Sequence, residues 1–254
     1  MGEHPGSWYN ALEHLLPEGV KGYINVMTFA SWTAMLVLVV MVILGTRRLT
    51  AVPHGWQNLW EWVHEVFTSF SRSVIGEDGP KYLPLLATLF IYILLMNLLG
   101  VIPGFLSPTT SLNTTIALAL VVFGAIQYYG WRANGFAYLK HFLGEPLWLA
   151  PLMLPLHLIG ECAKPLSLSV RLFGNIMGED KTVEAFLGLG ERIFHAIYVP
   201  LPIQLPMTAF AIFGGFIQAF VFTTLTAAYI GMATAHEEHS GKATEAEEHE
   251  AALA

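Results

Sequence analysis

An arginine, Arg171, lies in the middle of a long apolar segment of this sequence. A charge near the centre of a membrane helix costs at least ~2.5 kcal/mol on insertion scales, so such residues normally face protein or a water-filled cavity. The guanidinium keeps its proton at any biological pH, so it can attract a carboxylate but cannot pass a proton on. Arg171 therefore predicts a functional site that acts on ionised groups within a membrane.

Other small and polar residues share the helical stripe of Arg171 when about 100° per residue is assumed. The members of this stripe are Lys164, Ser167, Arg171, Gly174, Asn175 and Gly178. Glu161 and Glu179 flank the stripe, whereas Asp180 faces away from it. Small and polar residues together allow another helix to approach closely and to share hydrogen bonds. The stripe therefore predicts a contact face for a partner helix.

Long apolar runs make up most of the chain, which is 54% hydrophobic and 12% charged, with a mean hydropathy of +0.54. Runs of about 20 apolar residues can cross a hydrocarbon core of roughly 30 Å as helices. The runs cover 23–45, 82–105, 114–131, about 146–190 and about 202–232. We therefore expect an all-α integral membrane protein with five transmembrane helices, and the lipid bilayer as its first partner.

Two further features concern how these helices lie. Segment 56–76 has apolar residues at spacings of three and four and charges on other faces, which predicts one amphipathic helix in the membrane interface. The last two runs exceed the bilayer thickness at ~1.5 Å per residue, which predicts tilted or kinked helices. We expect these two to form a long antiparallel hairpin.

The positions of basic residues predict the orientation in the membrane. Arg47 and Arg48 follow the first run, and the positive-inside rule keeps them in the cytoplasm. The N-terminus is then expected outside and the C-terminus in the cytoplasm. Residues 1–22 lack the features of a cleaved signal peptide and are expected to be a polar N-terminus. Residues 23–236 would form the membrane domain, and residues 237–254 an acidic, disordered tail.

The string KPLSLSVRLFGNIMGED, at 164–180, closely resembles the signature helix of subunit a of F-type ATP synthases. Residues 96–115 resemble the second spanning helix and loop of that family, and residues 217–233 resemble its final helix. The RLFGN core together with a glutamine in the last helix is a highly specific combination. The resemblance extends over most of the chain outside the polar N-terminus and the acidic tail.

This resemblance implies a stator subunit of the Fo sector that translocates protons together with a rotating ring of two-helix c subunits, each with one carboxylate. Arg171 would be the cation that faces the ring, Asn175 its neighbour one turn on, and Gln218 the polar group of the last helix. Two half-channels would connect the ring carboxylate to opposite sides of a bacterial inner membrane. Peripheral-stalk b subunits and, indirectly, the F1 sector are the other implied partners.

An ungapped match places the half-channel carboxylate of the family at Asp180, with Glu179 as an adjacent acid. Which of the two accepts the proton stays open at this point. Ala211 and Gly100 occupy positions where some relatives carry ionisable residues. The proton wire must therefore be built differently in this chain.

Further half-channel candidates, acting together with water, are His157, Glu161, Lys164, Glu184 and His195. Structural roles are the alternative for several of these residues. His157 and Glu161, one turn apart, could form a local pair, and Lys164 could snorkel to the membrane surface. Asn175 and Gln218 could simply join two helices. A snorkelling role is less consistent with Arg171, because that residue lies deep in its segment.

A self-contained secondary transporter is the alternative function. It predicts an internal repeat with paired broken helices, and the sequence contains no such repeat. The single cysteine, Cys162, cannot form an internal disulfide, and no spacing of cysteine and histidine resembles a zinc site. Because the chain has no phosphate-binding loop or nucleotide fingerprint, ATP chemistry must reside on other subunits. We expect no catalysis by the chain itself, no cofactor, no metal and no nucleic-acid partner.

Overall fold

The computed structural model describes residues 26–47, 55–102, 105–135, 138, 150–197 and 204–234. Their helices are α1 Val26–Thr46, α2 Trp56–Ile75, α3 Leu83–Val101, α4 Leu112–Asn134, α5 Ala150–Ile197 and α6 Gln204–Thr234. Short 3-10 turns cover Gly79–Tyr82 and Pro108–Thr110. All regular structure in these ranges is helical, which confirms the predicted all-α class. The predicted polar N-terminus and acidic tail lie outside the described residues.

Four helices in the described ranges are long and apolar enough to cross a membrane. They cover Met27–Thr46, Gly79–Val101, Leu112–Asn134 and Leu205–Thr234. These spans confirm an integral membrane architecture, because a run of this length matches the thickness of the hydrocarbon core. Helix α5, which was predicted as the fourth of five crossings, is not among them, and charged residues recur along it. The crossing by α5 therefore stays a prediction.

Helix α2 is the amphipathic segment expected at the membrane interface. It ends at Ile75 and is followed by Gly76, whose φ of 102° is a conformation that favours glycine and whose N–H donates to the Arg72 carbonyl oxygen of the last turn. The apolar face of α2 packs inward: the Phe67 ring is 5.2 Å from Phe90 of α3, and the Phe70 ring is 5.7 Å from Phe220 of α6. The helix is thus fixed to the bundle along one side.

The core lies between α3, α4, α5 and α6. Its fully buried large side chains include Leu86, Ile93, Met96, Val122, Ile126, Leu172, Phe222 and Ile230. The described side chains of α5 contribute a narrow buried stripe, with Leu168, Leu172 and Ile176 at a spacing of four and Ser169 beside them. Most of the remaining surface of α5 is exposed. That surface is available to lipid or to another subunit.

Helices α5 and α6, of 48 and 31 residues, run antiparallel. Three contacts define their register: Lys164 with Tyr229, Asn175 with Gln218, and Glu179 with Gly214. Each step along one helix is matched by an equal step back along the other, so the predicted hairpin is confirmed. Pro155 and Pro165 lie inside α5, and the helix continues through both although each removes a backbone hydrogen bond. At 1.5 Å per residue α5 is ~72 Å long, well beyond a bilayer.

Candidate functional site

Arg171 projects from an open face of α5. Its neighbour Leu172 is fully buried in the core, whereas Arg171 itself is exposed. A Cβ atom added at Gly174 or at Gly178 would meet nothing within 4 Å. Among the described residues, no carboxylate lies within ion-pair distance of Arg171. The predicted small-residue stripe is thus a smooth surface with one unneutralised cation.

Asn175 and Gln218 join the two hairpin helices beside that face. The Asn175 amide donates a hydrogen bond of 2.5 Å to the Gln218 Oε1. Gln218 is only 2% exposed, and its Nε2 has no hydrogen-bond partner among the described residues. A buried donor left unsatisfied costs about 1–3 kcal/mol. A hydrogen bond from the Gln218 Nε2 to an acceptor outside the described chain would therefore be favourable.

The two adjacent acids of α5 have different surroundings. Glu179 is half-buried and turns toward α6, where its Oε2 lies 2.7 Å from the place that a Cβ atom on Gly214 would occupy. Asp180 is exposed. Only a glycine at position 214 gives the Glu179 carboxylate this space. The structure therefore brings Glu179, and not Asp180, into the contact between the two helices.

A chain of buried polar groups begins next to Glu179. The Asn97 Nδ2 of α3 donates to the carbonyl oxygen of Gly215 at 3.0 Å. The Thr109 hydroxyl donates to the Asn97 Oδ1 at 2.8 Å and lies 2.7 Å from the Ser107 hydroxyl. All three side chains are buried. Glu179 contacts Gly214, and Gly215 is the next residue of α6. The polar groups therefore extend from the neighbourhood of Glu179 toward the loop between α3 and α4.

Sequence reasoning missed this chain of Asn97, Thr109 and Ser107. The available signal was a polar residue inside an apolar run, in MNLLG, followed by a turn rich in hydroxyl groups. Gly100 has a part in the arrangement, because a Cβ atom there would lie 2.6 Å from the Ser107 Cβ. The absence of a side chain at Gly100 thus allows the loop to approach α3.

A second polar cluster lies on the other side of Arg171 along α5. Lys164 and Glu161 form an ion pair, with side chains that are 20% and 17% exposed. Gln127 of α4 donates to the Glu161 Oε2 at 3.1 Å and accepts a hydrogen bond of 2.8 Å from the Tyr138 hydroxyl. The Lys164 ammonium is also 5.5 Å from the Tyr229 ring centre. Lys164 is therefore held inside the bundle by Glu161 and Tyr229, and Gln127 and Tyr138 hold Glu161 in turn.

The remaining predicted residues are more scattered. Glu184 pairs with Lys181 at 2.7 Å on the exposed surface, where such pairs contribute about 0–1 kcal/mol. His157 is partly buried, one turn before Glu161. The side chain of His195 lies outside the described residues, although its backbone belongs to α5. In the described part of the chain no group of three His, Cys, Asp or Glu residues could hold a metal ion.

Comparison with known proteins gives one consistent result. The family model described as ATP synthase A chain matches residues 28–231. ATP synthase subunit a 1 of Syntrophotalea carbinolica is 44% identical over 209 residues, which are 82% of this chain and 85% of that protein. ATP synthase subunit a of Desulfosudis oleivorans is 39% identical over 234 residues, covering 92% and 99%. The corresponding protein of Geobacter sulfurreducens is 41% identical over 200 residues, covering 79% and 83%.

Proposed function

The chain belongs to the ATP synthase A chain family, and from this premise we propose that it is the stator part of a rotary proton channel. In this proposal two half-channels and Arg171 couple proton flow to the rotation of a ring of c subunits. The chain is a multi-pass protein of the bacterial inner membrane and a component of the Fo sector, which is not the catalytic part of the complex.

The open face around Arg171 is the observation that carries this proposal. A guanidinium with no carboxylate near it in the described chain, beside glycines that nothing covers, is suited to a partner that brings the carboxylate. Coulomb attraction between the two at 4 Å is about 4 kcal/mol at an effective dielectric of 20. This attraction favours the deprotonated ring carboxylate. Because Arg171 keeps its own proton, it also prevents protons from passing directly between the half-channels.

For the external half-channel we propose Glu179 as the proton-accepting carboxylate, in place of Asp180. Its position against Gly214 leads to the buried groups of Asn97, Thr109 and Ser107. Hydroxyl and amide groups both donate and accept hydrogen bonds, so they can order water along a proton path. Glu184 and His195, on the same side of Arg171, stay candidates for the outer part of this path.

For the cytoplasmic half-channel we propose the cluster around Glu161. Glu161, Lys164 and Tyr138 are the titratable groups of that cluster, and Gln127 connects two of them. The cluster lies before Arg171 in α5, whereas Glu179 lies after it, so the two groups of residues are on opposite sides of the arginine. His157, one turn from Glu161, is a further candidate.

The proposed topology has five crossings, with α5 as the fourth and α6 as the last, and α2 in the cytoplasmic interface. The N-terminus would be outside and the C-terminus in the cytoplasm, with a membrane domain at 23–236 between segments 1–22 and 237–254. Basic residues at one end of the bundle support this orientation: Arg47, Arg72, Lys81 and Arg132. Besides the c-ring, peripheral-stalk b subunits are direct partners and the F1 sector an indirect one.

A self-contained transporter is less consistent with the geometry. Transporters of that kind hold their ion site near the bilayer midplane, between structural repeats. Arg171 instead lies on an exposed face of the described chain, outside the core between the helices. The position of the arginine therefore favours a function that is completed by a partner.

A cross-linking experiment tests the proposed contact face. With Cys162 replaced by serine, Gly178→Cys should form disulfides with cysteines placed along the carboxylate-bearing helix of the c subunit in assembled complexes. Leu120→Cys, on an exposed face of α4, is the matched control and should form none. Cross-linking from position 120 but not from position 178 would place the ring elsewhere and reject the proposal.

A further inference from the structure

A cleft of about 590 Å³ lies at one end of the bundle, away from Arg171 and Glu179. Its volume is within the ~300–1,000 Å³ typical of ligand pockets. Its lining includes Glu77, Asp78, Lys81, Tyr82, Tyr129 and Arg132. They come from the segment that joins α2 to α3 and from the end of α4, and the end of α6 closes the cleft. None of these residues belongs to the two proposed half-channels.

The depth of the cleft corresponds to the headgroup layer of the membrane. The apolar span Gly79–Val101 begins here, and the spans Leu112–Asn134 and Leu205–Thr234 end here. Tyr128 and Trp131 of α4, next to the cleft, are exposed large aromatic residues. Aromatic residues of this kind are enriched where a membrane meets water. The cleft therefore opens beside lipid headgroups.

One side of the cleft is suited to a phosphate group. Lys81 is already paired with Asp78 at 2.8 Å. Arg132 has no carboxylate within 4 Å among the described residues, and it donates a hydrogen bond of 3.4 Å to the Tyr128 hydroxyl. A guanidinium that is not paired with a carboxylate can bind a phosphate through two parallel hydrogen bonds. Arg132 is thus the natural anchor for an anionic oxygen.

The other side is suited to a small cation. The Glu77 side chain is 90% exposed, and its Oε2 is as far as 3.8 Å from the Arg72 Nε. Because this pairing is loose, the carboxylate can accept further hydrogen bonds. Helices α4 and α6 both end at the cleft, and the carbonyl ends of helices attract positive charge. Between the two sides, the Tyr82 and Tyr129 rings pack edge to face at 4.9 Å and form an apolar wall.

We propose that this cleft binds the headgroup of a phospholipid with a primary ammonium group, the chemistry of phosphatidylethanolamine. Arg132 binds the phosphate, Glu77 accepts from the ammonium, and the tyrosine wall contacts the glycerol region. A headgroup bound there joins the α2–α3 segment to the ends of α4 and α6. This inference does not depend on the proposed half-channels, because it uses other residues and a different ligand.

The test uses the whole ATP synthase complex in lipid nanodiscs that contain a trace of photoactivatable phosphatidylethanolamine. Adducts on the peptides that line the cleft are quantified by mass spectrometry. Unlabelled phosphatidylethanolamine should compete several-fold better than phosphatidylcholine, whose ammonium cannot donate hydrogen bonds. Arg132→Gln should lower labelling about tenfold, whereas Arg47→Gln, an exposed arginine at the same end of the bundle, should leave it unchanged. Glu77→Gln should abolish the preference over phosphatidylcholine.

Three outcomes would overturn the proposal. The first is equal competition by the two lipids in the unaltered complex. The second is unchanged labelling in the Arg132→Gln complex when its assembly and ATP synthesis are normal. The third is a several-fold rise in labelling when residues 237–254 are removed, since the acidic tail would then be the occupant of the cleft. Unchanged labelling after that removal supports the lipid.

Discussion

Glu179 of α5 lies against Gly214 of α6, and its carboxylate occupies the space that a side chain at position 214 would need. The next residue of α6, Gly215, accepts the hydrogen bond from Asn97 that begins the buried polar chain. Asp180 has no comparable position, because it is exposed on the outer side of the same helix. One glycine therefore distinguishes the two acids that the sequence places side by side.

The first prediction compares these acids. Glu179→Gln should lower proton-driven ATP synthesis by about 100-fold, within the range for loss of a group that transfers protons. Asp180→Asn should stay within about twofold of the unaltered complex. Both variants should assemble, since each keeps the shape of the side chain. ATP synthesis in vesicles, normalised to the amount of assembled complex, is the measurement, and the reverse order of the two effects would assign the role to Asp180.

The second prediction concerns the space at Gly214. Gly214→Ala should reduce ATP synthesis several-fold, because the methyl group displaces the Glu179 carboxylate without removing it. Gly124→Ala in α4 is the control, since nothing lies within 4 Å of a Cβ atom there. The double variant Gly214→Ala with Glu179→Gln should be no worse than Glu179→Gln alone. Additive losses would show that Gly214 acts through something other than Glu179.

The third prediction concerns the buried hydroxyl of Thr109. Thr109→Val keeps the shape but leaves the Asn97 Oδ1 without its donor, at a cost of about 1–3 kcal/mol. ATP synthesis should fall several-fold with no rise in passive proton leak. Thr115→Val is the control, because this equally buried hydroxyl bonds, among the described residues, to the carbonyl of Leu112 in its own helix. Equal losses in the two variants would point to general destabilisation.

The fourth prediction concerns orientation. With Cys162 replaced, single cysteines at Ser7 and Ser240 should react with an impermeant thiol reagent from opposite sides of the membrane. The cysteine at position 7 should be labelled from outside and that at position 240 from the cytoplasm. Labelling of both from one side would exclude five crossings.

Much of the fold follows from the sequence because apolar length and helical periodicity are local properties. The predicted second span and interfacial segment begin within one residue of α3 and α2. The face of Arg171 was also predictable, since Gly174 and Asn175 follow at helical spacing. The continuity of α5 through Pro155 and Pro165 was not, because a proline inside a helix removes a backbone hydrogen bond and usually kinks or ends the helix.

The details of the proposed proton paths could not be predicted from the sequence for a physical reason. Glu179 and Asp180 are neighbours in the chain, and only the glycine at position 214 of another helix separates their environments. The bond between Asn97 and Thr109 likewise depends on how the loop folds back over α3. Such contacts join residues that are far apart in sequence, so local patterns carry no information about them.

Arg171 is the residue on which the proposed mechanism depends. Arg171→Ala should still assemble, since Arg171 is exposed and no carboxylate within ion-pair distance among the described residues loses a partner. Arg171→Lys should lose most of the coupled ATP synthesis, because a desolvated lysine can lose its proton and lacks the planar guanidinium. Assembly of both variants is checked by co-purification with the c subunit.

The most direct measurement is ATP synthesis and passive proton leak in vesicles that contain the whole complex with Arg171→Ala. The account predicts the loss of coupled synthesis, because a ring carboxylate that meets no cation either stays protonated or lets protons cross between the half-channels. Near-normal synthesis by an assembled Arg171→Ala complex would contradict it.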